Sequence, residues 1–420
     1  MRRLSSLAAA ATAVVLVACS APADDAGPTG AGSAPSSSAT TAASSAAPAT
    51  SASSDPASSP ASSATSAALP TGDPHSSGAF AVREVAEFSS PWAMTFLPDG
   101  KLLITQKSGE LLLRDQSSGD VVEVEGVPDV VDAGQGGLGD VVLAPTFADD
   151  NVVYLSWVES GDGGNGAVIG RATLVVDGGS ARLDDLSVIW RQDPKVSGNG
   201  HFSHRMAFSP DGQYLFVTSG DRQKMDPAQD LNVALGKVLR LKLDGTPADG
   251  NPFADRGGVS AQIWTYGHRN PLGIAFDADG NLWSSEMGPE GGDEVNLIVE
   301  GKNYGWPKAS NGSHYGGAEI PDHADGDGFE APKVWWTPSI SPGGLTVYNG
   351  DVFADWKGDA FIPALSGQAL LRVDLDGTNA TKGDQWDMGT RIREVEQGPD
   401  GTLWLLTDGG SGKLLQIVPA

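Results

Sequence analysis

The sequence predicts an all-β chain, a six-bladed β-propeller. Three observations carry this. Of its 420 residues 55 are Gly and 11 are Trp, a composition of turns and sheet rather than of helical bundles. The dipeptide Asp-Gly recurs between short apolar runs, which is a hairpin signal. The recurrences are spaced at the length of a small sheet, as in repeat architectures whose units cannot bury their faces alone.

The repeats follow in order. Phe96-Leu97-Pro98-Asp99-Gly100 leads into Leu102-Leu103-Ile104-Thr105, and Phe208-Ser209-Pro210-Asp211-Gly212 into Tyr214-Leu215-Phe216-Val217. Phe276-Asp277-Ala278-Asp279-Gly280 leads into Leu282-Trp283, and Gly398-Pro399-Asp400-Gly401 into Leu403-Trp404-Leu405-Leu406. Asp149-Asp150-Asn151 and Lys357-Gly358-Asp359 are degenerate copies. The turn aspartates lie 50, 62, 68, 80 and 41 residues apart, and residues 79–420 divided by six give 57 residues per unit, four strands with loops. Both turn residues are expected at positive φ. The last copy, ending Leu414-Leu415-Gln416-Ile417, is expected to close the ring near Phe80-Ala81-Val82. A pair of two-sheet sandwiches is the alternative architecture.

Two segments precede the repeats. Met1-Arg2-Arg3 and the apolar stretch from Leu7 to Val17 form an export signal, because about ten apolar residues fall short of the ~20 that span a bilayer. The ending Leu16-Val17-Ala18-Cys19 resembles a bacterial lipobox, which implies cleavage after residue 18 and lipidation of Cys19. Cys19 is the single cysteine, so there is no intrachain disulfide and no thiolate zinc site. Residues 20–78 are Ala, Ser, Thr, Pro or Gly at 53 of 59 positions and lack Lys, Arg and aromatic residues. Such a segment buries too little apolar surface to order, and 19–78 is read as a disordered tether. The expected division is therefore signal 1–18, lipidated linker 19–78 and propeller 79–420, exported and anchored to a membrane facing away from the cytoplasm.

Charge excludes one class of partner. With 27 basic and 53 acidic residues the chain carries −26, so non-specific nucleic-acid binding is not expected.

A propeller does not fix function; three polar clusters between blades carry the chemistry. Gly198-Asn199-Gly200-His201-Phe202-Ser203-His204-Arg205 places two of the six His in a glycine-containing loop, which suits a proton acceptor or a merely hydrogen-bonded loop. Gly267-His268-Arg269-Asn270-Pro271 offers an arginine fork for a planar carboxylate or carbonyl, or a blade linker. Glu286-Met287-Gly288-Pro289-Glu290-Gly291-Gly292-Asp293-Glu294-Val295-Asn296, followed by Asn303-Tyr304-Gly305-Trp306-Pro307, suits a hard cation such as Ca²⁺, or is an acidic surface loop.

Taken together, with Gly134-Gln135-Gly136-Gly137 and Arg391-Ile392-Arg393, these motifs resemble the soluble pyrroloquinoline quinone (PQQ)-dependent glucose and aldose sugar dehydrogenases over residues 86–418. That family is a six-bladed propeller. The resemblance implies oxidation of an aldose sugar at C1 to its lactone by hydride transfer to PQQ, with electrons passed on to an unspecified acceptor. It implies His201 as general base, Asp221 as the carboxylate that orients it, and Arg269 as the stabiliser of charge developing on the quinone. Gln135, Arg269, Asn270, Arg391 and Arg393 match cofactor contacts. The Gly288 and Pro289 carbonyls match ligands of the cofactor's Ca²⁺, and Glu294 and Tyr304 a second calcium site. The sequence departs from the glucose-oxidising pattern at Ser366, where a Lys is expected, and at Met287, where some members have Gln. Insertions between Trp306 and Trp336 that help glucose dehydrogenases to dimerise are absent, which points to the broader aldose branch. Trp335 and Trp336 are either sugar-stacking or blade core. Two rival functions remain in view: a calcium-dependent sugar lactonase, and a non-catalytic binding propeller whose pocket no longer takes PQQ.

Overall fold

The Asp-Gly turns join antiparallel strands, but by a different turn from the one expected. The computed structural model describes residues 75–76 and 79–420; the signal 1–18 and the linker 19–78, Cys19 included and 75–76 excepted, lie outside the described residues. Gly100, Gly212, Gly280 and Gly401 take φ of +87°, +70°, +85° and +79°, while Asp99, Asp211, Asp279 and Asp400 stay out of the left-handed region. Gly100 N–H donates to Leu97 O at 2.9 Å, and Leu97 N–H to Lys101 O at 2.8 Å. This is a type I turn closed by one left-handed glycine, the three-residue hairpin loop. The aspartate contributes through its side chain. Asp99 Oδ1 accepts from Lys101 N–H at 3.1 Å and Asp400 Oδ1 from Thr402 N–H at 3.0 Å, which mimics a backbone turn.

The strands assemble as six four-stranded blades. Blade 1 comprises Pro91–Phe96, Leu102–Gln106, Leu111–Arg114 and Val121–Glu125. Blade 2 comprises Leu138–Leu143, Val152–Gly161, Gly164–Asp177 and Ser180–Arg191, and its last strand pairs in parallel with the last strand of blade 1. Blade 3 is Ser203–Phe208, Tyr214–Ser219, Lys237–Lys242 and Ile263–Tyr266; blade 4 is Pro271–Phe276, Leu282–Glu286, Asp293–Leu297 and Val334–Trp336. Blade 5 is Thr346–Val347, Ala360–Ala364, Ala369–Asp376 and Asn379–Asp387. Blade 6 takes Ile392–Gln397, Leu403–Thr407 and Gly412–Val418 from the C-terminal part of the chain, and its outer strand, Ala81–Phe88, from ahead of blade 1. Ala81 faces Val418 and Val82 faces Ile417, so the ring closes where the last repeat was expected to close it. His75–Ser76 adds a short strand beyond, opposite Val82 and Ala81.

Burial follows from this geometry. A blade exposes two apolar faces, and six hydrophobic clusters fill the six gaps between neighbouring blades. Between blades 5 and 6, Phe361 is fully buried against Tyr348, Trp356 and Trp386. On the axis the innermost strands neighbour one another in a circle, and there the filling is ionic. Arg205 of blade 3 reaches Asp140 of blade 2 at 3.3 Å, the Leu272 carbonyl of blade 4 at 2.9 Å, the Gly343 carbonyl entering blade 5 at 2.7 Å, and Glu394 of blade 6. Its guanidinium carbon lies 4.1 Å from the ring centroid of Trp92 in blade 1.

The cluster between blades 5 and 6 gives a first prediction. Phe361→Ala leaves a cavity in a fully buried site, and the expected loss is about 3–5 kcal/mol, read as a lower guanidinium midpoint in equilibrium unfolding.

Candidate active site

The motifs singled out by sequence stand at the entrance to innermost strands. Gln135 precedes Leu138–Leu143, His201 precedes Ser203–Phe208, Arg269 and Asn270 precede Pro271–Phe276, and Arg391 precedes Ile392–Gln397. Innermost strands surround the axis, so residues at their starts converge at one end of it. They meet there around two adjoining cavities of about 480 and 180 Å³, with Tyr315 lining both.

The smaller cavity holds His201, Asp221, Arg269, Pro289, Trp306 and Met225. His201 is buried, with its Nδ1 2.7 Å from Asp221 Oδ1. Asp221 also accepts from Trp306 Nε1 at 2.8 Å and from the Gln223 and Met225 amides at 2.8 and 3.2 Å. Burial alone raises a carboxyl pKa; here the bonds from His201 and Trp306 and the charge of Arg269 outweigh it, and Asp221 ends below the ordinary carboxylate range. An ionised Asp221 can only accept, so His201 Nδ1 carries the proton and Nε2 is left with its lone pair. Burial also pulls His201 below its ordinary value, against the Asp221 hydrogen bond and with Arg269, so the imidazole is neutral at neutral pH. Gln135 serves the same group, its Oε1 accepting the His201 backbone N–H at 2.7 Å.

Arg269 donates from Nη1 to the Met287 carbonyl at 3.0 Å and from Nη2 to the Tyr315 hydroxyl at 3.1 Å, while its buried Nε has no partner. Glu286 accepts from the Arg269 and Asn270 amides and from His268 Nδ1, which fixes the backbone from which Arg269 projects. Asn270 is fully buried, with Oδ1 accepting from Ser203 Oγ at 3.0 Å; it lines neither cavity and supports the floor.

The larger cavity is lined by Gln135, Lys107, Trp92, Met287, Arg391 and Arg393 among others. Both arginines grip Asp408, Arg391 Nε at 2.8 Å and Arg393 Nη2 at 2.7 Å, and despite burial this pair holds Asp408 below the ordinary carboxylate range. Lys107 pairs with Asp132 at 2.7 Å. Sequence reasoning missed Lys107, Asp408 and Tyr315, which lie in no motif, and the contact of Trp306 with Asp221, which lies inside one. Ser366 is tied to Ser341 Oγ at 2.7 Å and to the Ser339 carbonyl at 3.2 Å.

The acidic motif divides. Gly288 is buried so tightly that a Cβ there would come within 2.4 Å of the Gly291 carbonyl oxygen, and of the two turn residues Pro289 lines the smaller cavity while Gly288 does not. Asp293 anchors that turn by accepting from the Gly288 amide at 2.7 Å and from the Ile340 and Ser341 amides. Burial and the neighbouring Glu286 push half-buried Glu294 well above the ordinary carboxylate range, against a hydrogen bond from the buried Asn296 side chain. The Tyr304 hydroxyl donates to the Leu297 carbonyl and accepts from the Val299 amide at 2.8 Å, and its ring stacks on His268 at 4.5 Å; its main-chain oxygen is what remains for a ligand. Among the described residues no group of three or more His, Cys, Asp or Glu side chains is gathered to hold a metal.

The two histidines of the first motif part company. His204 stacks on Trp92 at 5.2 Å and its Nδ1 lies 2.7 Å from Ser156 Oγ, so it is floor and not a proton acceptor. Trp336 is buried in the core between blades 4 and 5 and Trp335 is exposed; neither lines a cavity.

The sequence model of the glucose/sorbosone dehydrogenase family matches residues 88–416. The chain is 42% identical over 337 residues to the aldose sugar dehydrogenase YliI of Escherichia coli, covering 78% of this chain and 90% of that one. It is 28% identical over 411 residues to quinoprotein glucose dehydrogenase B of Acinetobacter calcoaceticus, covering 77% and 84%. Among solved structures, the PQQ-bound aldose sugar dehydrogenase of Streptomyces coelicolor superposes with a TM-score of 0.66 at 29% identity, covering 83% of this chain and all of that one.

The floor histidine carries a pH signature. Burial first, and then Arg205, lower His204 from 6.5 to about 3. The folded protein therefore binds fewer protons than the unfolded chain between these values. The stability His204 contributes is complete above pH 6.5 and is lost as pH falls toward 3. His204→Asn, which tolerates the φ of +58° at this position, is expected to flatten the fall of melting temperature between pH 6.5 and 4.

Proposed function

The chain belongs to the glucose/sorbosone dehydrogenase family, and we propose that it oxidises an aldose sugar at C1 to the lactone with PQQ as its redox cofactor. The observation that carries this is the neutral, Asp221-oriented His201 with a free Nε2, next to a cation-lined cavity. The cavity suits the group: PQQ is a flat tricarboxylate, the volume of about 480 Å³ is that of a cofactor pocket, and Lys107, Arg391 and Arg393 line it. The unpartnered Arg269 Nε is a further donor waiting for an acceptor.

When bound, PQQ supplies the acceptor for the hydride and the two electrons that leave the sugar. The remaining work belongs to the chain. His201 Nε2 takes the proton of the anomeric hydroxyl as the hydride departs, and Asp221 stabilises the imidazolium that results. Arg269, which shares the smaller cavity with His201 and has a free Nε, would stabilise negative charge developing on the bound cofactor. Arg391, Arg393 and Lys107 would hold the carboxylates of the bound cofactor, with Lys107 adding positive charge to the cavity. The Gly288 and Pro289 carbonyls are suited to a Ca²⁺ beside the quinone, since a hard cation takes main-chain oxygen. The Glu294 side chain, with the Tyr304 main-chain oxygen, is suited to a second.

The lactonase alternative needs carboxylates converging on an axial metal, whereas the axial Asp140 and Glu394 are bridged by Arg205. We read the protein as exported and lipid-anchored through Cys19, with oxidation taking place outside the cytoplasm.

His201→Ala is expected to lower kcat by about 10²–10⁴-fold in a dye-linked assay with PQQ, Ca²⁺ and a panel of aldoses, with PQQ affinity preserved. EGTA treatment should abolish turnover, and added Ca²⁺ restore it. In cells, radiolabelled palmitate is expected to enter the wild-type chain and not Cys19→Ser.

A further inference from the structure

We propose that Arg222 is a positioning residue for the proton acceptor, holding the loop that carries His201 in the geometry the reaction needs. The inference rests on the assignment of His201 as base.

The segment that carries His201 is backbone of an unfavourable kind. His201, Ser203 and His204 have φ of +48°, +59° and +58°, and facing them Arg222, Gln223 and Met225 have φ of +57°, +59° and +59°. Left-handed conformation is unfavourable for residues with a Cβ and persists only where the surroundings impose it. Glycines at 198 and 200 add freedom on the approach to His201.

Arg222 is what imposes it. Its side chain is fully buried, yet its partners are uncharged oxygens. Nε donates to the Gly200 carbonyl at 2.9 Å and Nη2 to the Gly198 carbonyl at 2.5 Å, which captures both glycines before the base. Nη1 donates to the Asn165 carbonyl and to Gln192 Oε1 at 2.5 and 3.3 Å, which ties the same loop to blade 2. The Arg222 amide donates to the His201 carbonyl at 3.3 Å. Phe202 covers the guanidinium at 3.6 Å, a cation–π contact. One planar fork thus reads the carbonyls on both sides of Asn199, a task for which the point charge of a lysine is poorly shaped. Because Asp221 precedes Arg222 in the chain, the same backbone presents the carboxylate to His201 Nδ1.

The test uses the full chain loaded with PQQ and Ca²⁺. Arg222→Lys keeps the charge and loses the fork. It is expected to lower kcat by about ten- to a hundredfold, as misplacement of a catalytic group does, with KM and PQQ affinity within twofold. The acid limb of the kcat profile should rise toward the ordinary histidine value as His201 gains solvent. Asp221, Arg269, Glu286 and His314, the charged and titratable groups around His201, are unaltered in this variant. Phe202→Leu removes only the cover and should move both quantities in the same direction, by about threefold in kcat.

An Arg222→Lys enzyme with kcat and acid limb unchanged overturns the proposal. So does one that loses kcat in proportion to PQQ affinity with the acid limb fixed. If Arg222→Lys does not fold, an unmoved acid limb in Phe202→Leu overturns it. A His201→Ala enzyme as active as wild type instead removes the base assignment itself, whatever the Arg222 result.

Discussion

One guanidinium touches every blade of this ring. Arg205 belongs to blade 3, pairs with carboxylates of blades 2 and 6, donates to carbonyls of blade 4 and of the loop entering blade 5, and lies on Trp92 of blade 1. Six sheets packed around an axis converge on a volume too narrow for large apolar side chains from all of them. A planar cation with five donors reaches the five other blades at once. Buried ion pairs are weak evidence of stability, since desolvation offsets much of their attraction. What this one contributes is register: the carbonyls of Leu272 and Gly343 are hydrogen-bonded only if their strands start at the right height.

The site depends on that register. Arg205 and His204 both pack on Trp92, which lines the larger cavity, and the strands Arg205 aligns carry Gln135, His201, Arg269 and Arg391 at their starts. Each of these groups comes from a different blade, so no single hairpin contains the chemistry. The constraint also explains why each of these groups is held by a fixed partner: Glu286 accepts from the Arg269 amide, Asp408 pairs with Arg391 and Arg393, and Trp306 donates to Asp221.

Much of this was legible in the sequence because it is local. An Asp-Gly pair with its flanking apolar runs marks each hairpin within ten residues, and the ring count follows from repetition. The turn type was misjudged because the aspartate's own carboxylate caps the loop from negative φ, a side-chain effect hidden in a dipeptide. Motifs such as Gly267-His268-Arg269-Asn270-Pro271 stood out because backbone entering an innermost strand has to turn sharply. Lys107 and Asp408 left no such mark; each sits in an ordinary turn and matters only for what the ring brings opposite it. His201 and His204 are alike in sequence, and only the fold assigns one to Asp221 and the other to Ser156.

Ring closure has a consequence for how the chain is made. The outer strand of the last blade, Ala81–Phe88, is the first of the propeller to leave the ribosome, and its partner Gly412–Val418 is the last. Until then the edge that Gly412–Val418 will cover is an open template for any other chain. Its sequence answers this: Arg83, Glu84 and Glu87 give the waiting edge charges that discourage adhesion. When the partner arrives, Lys413 and Gln416 meet Glu84 and Arg83, so the same charges then mark the intended mate.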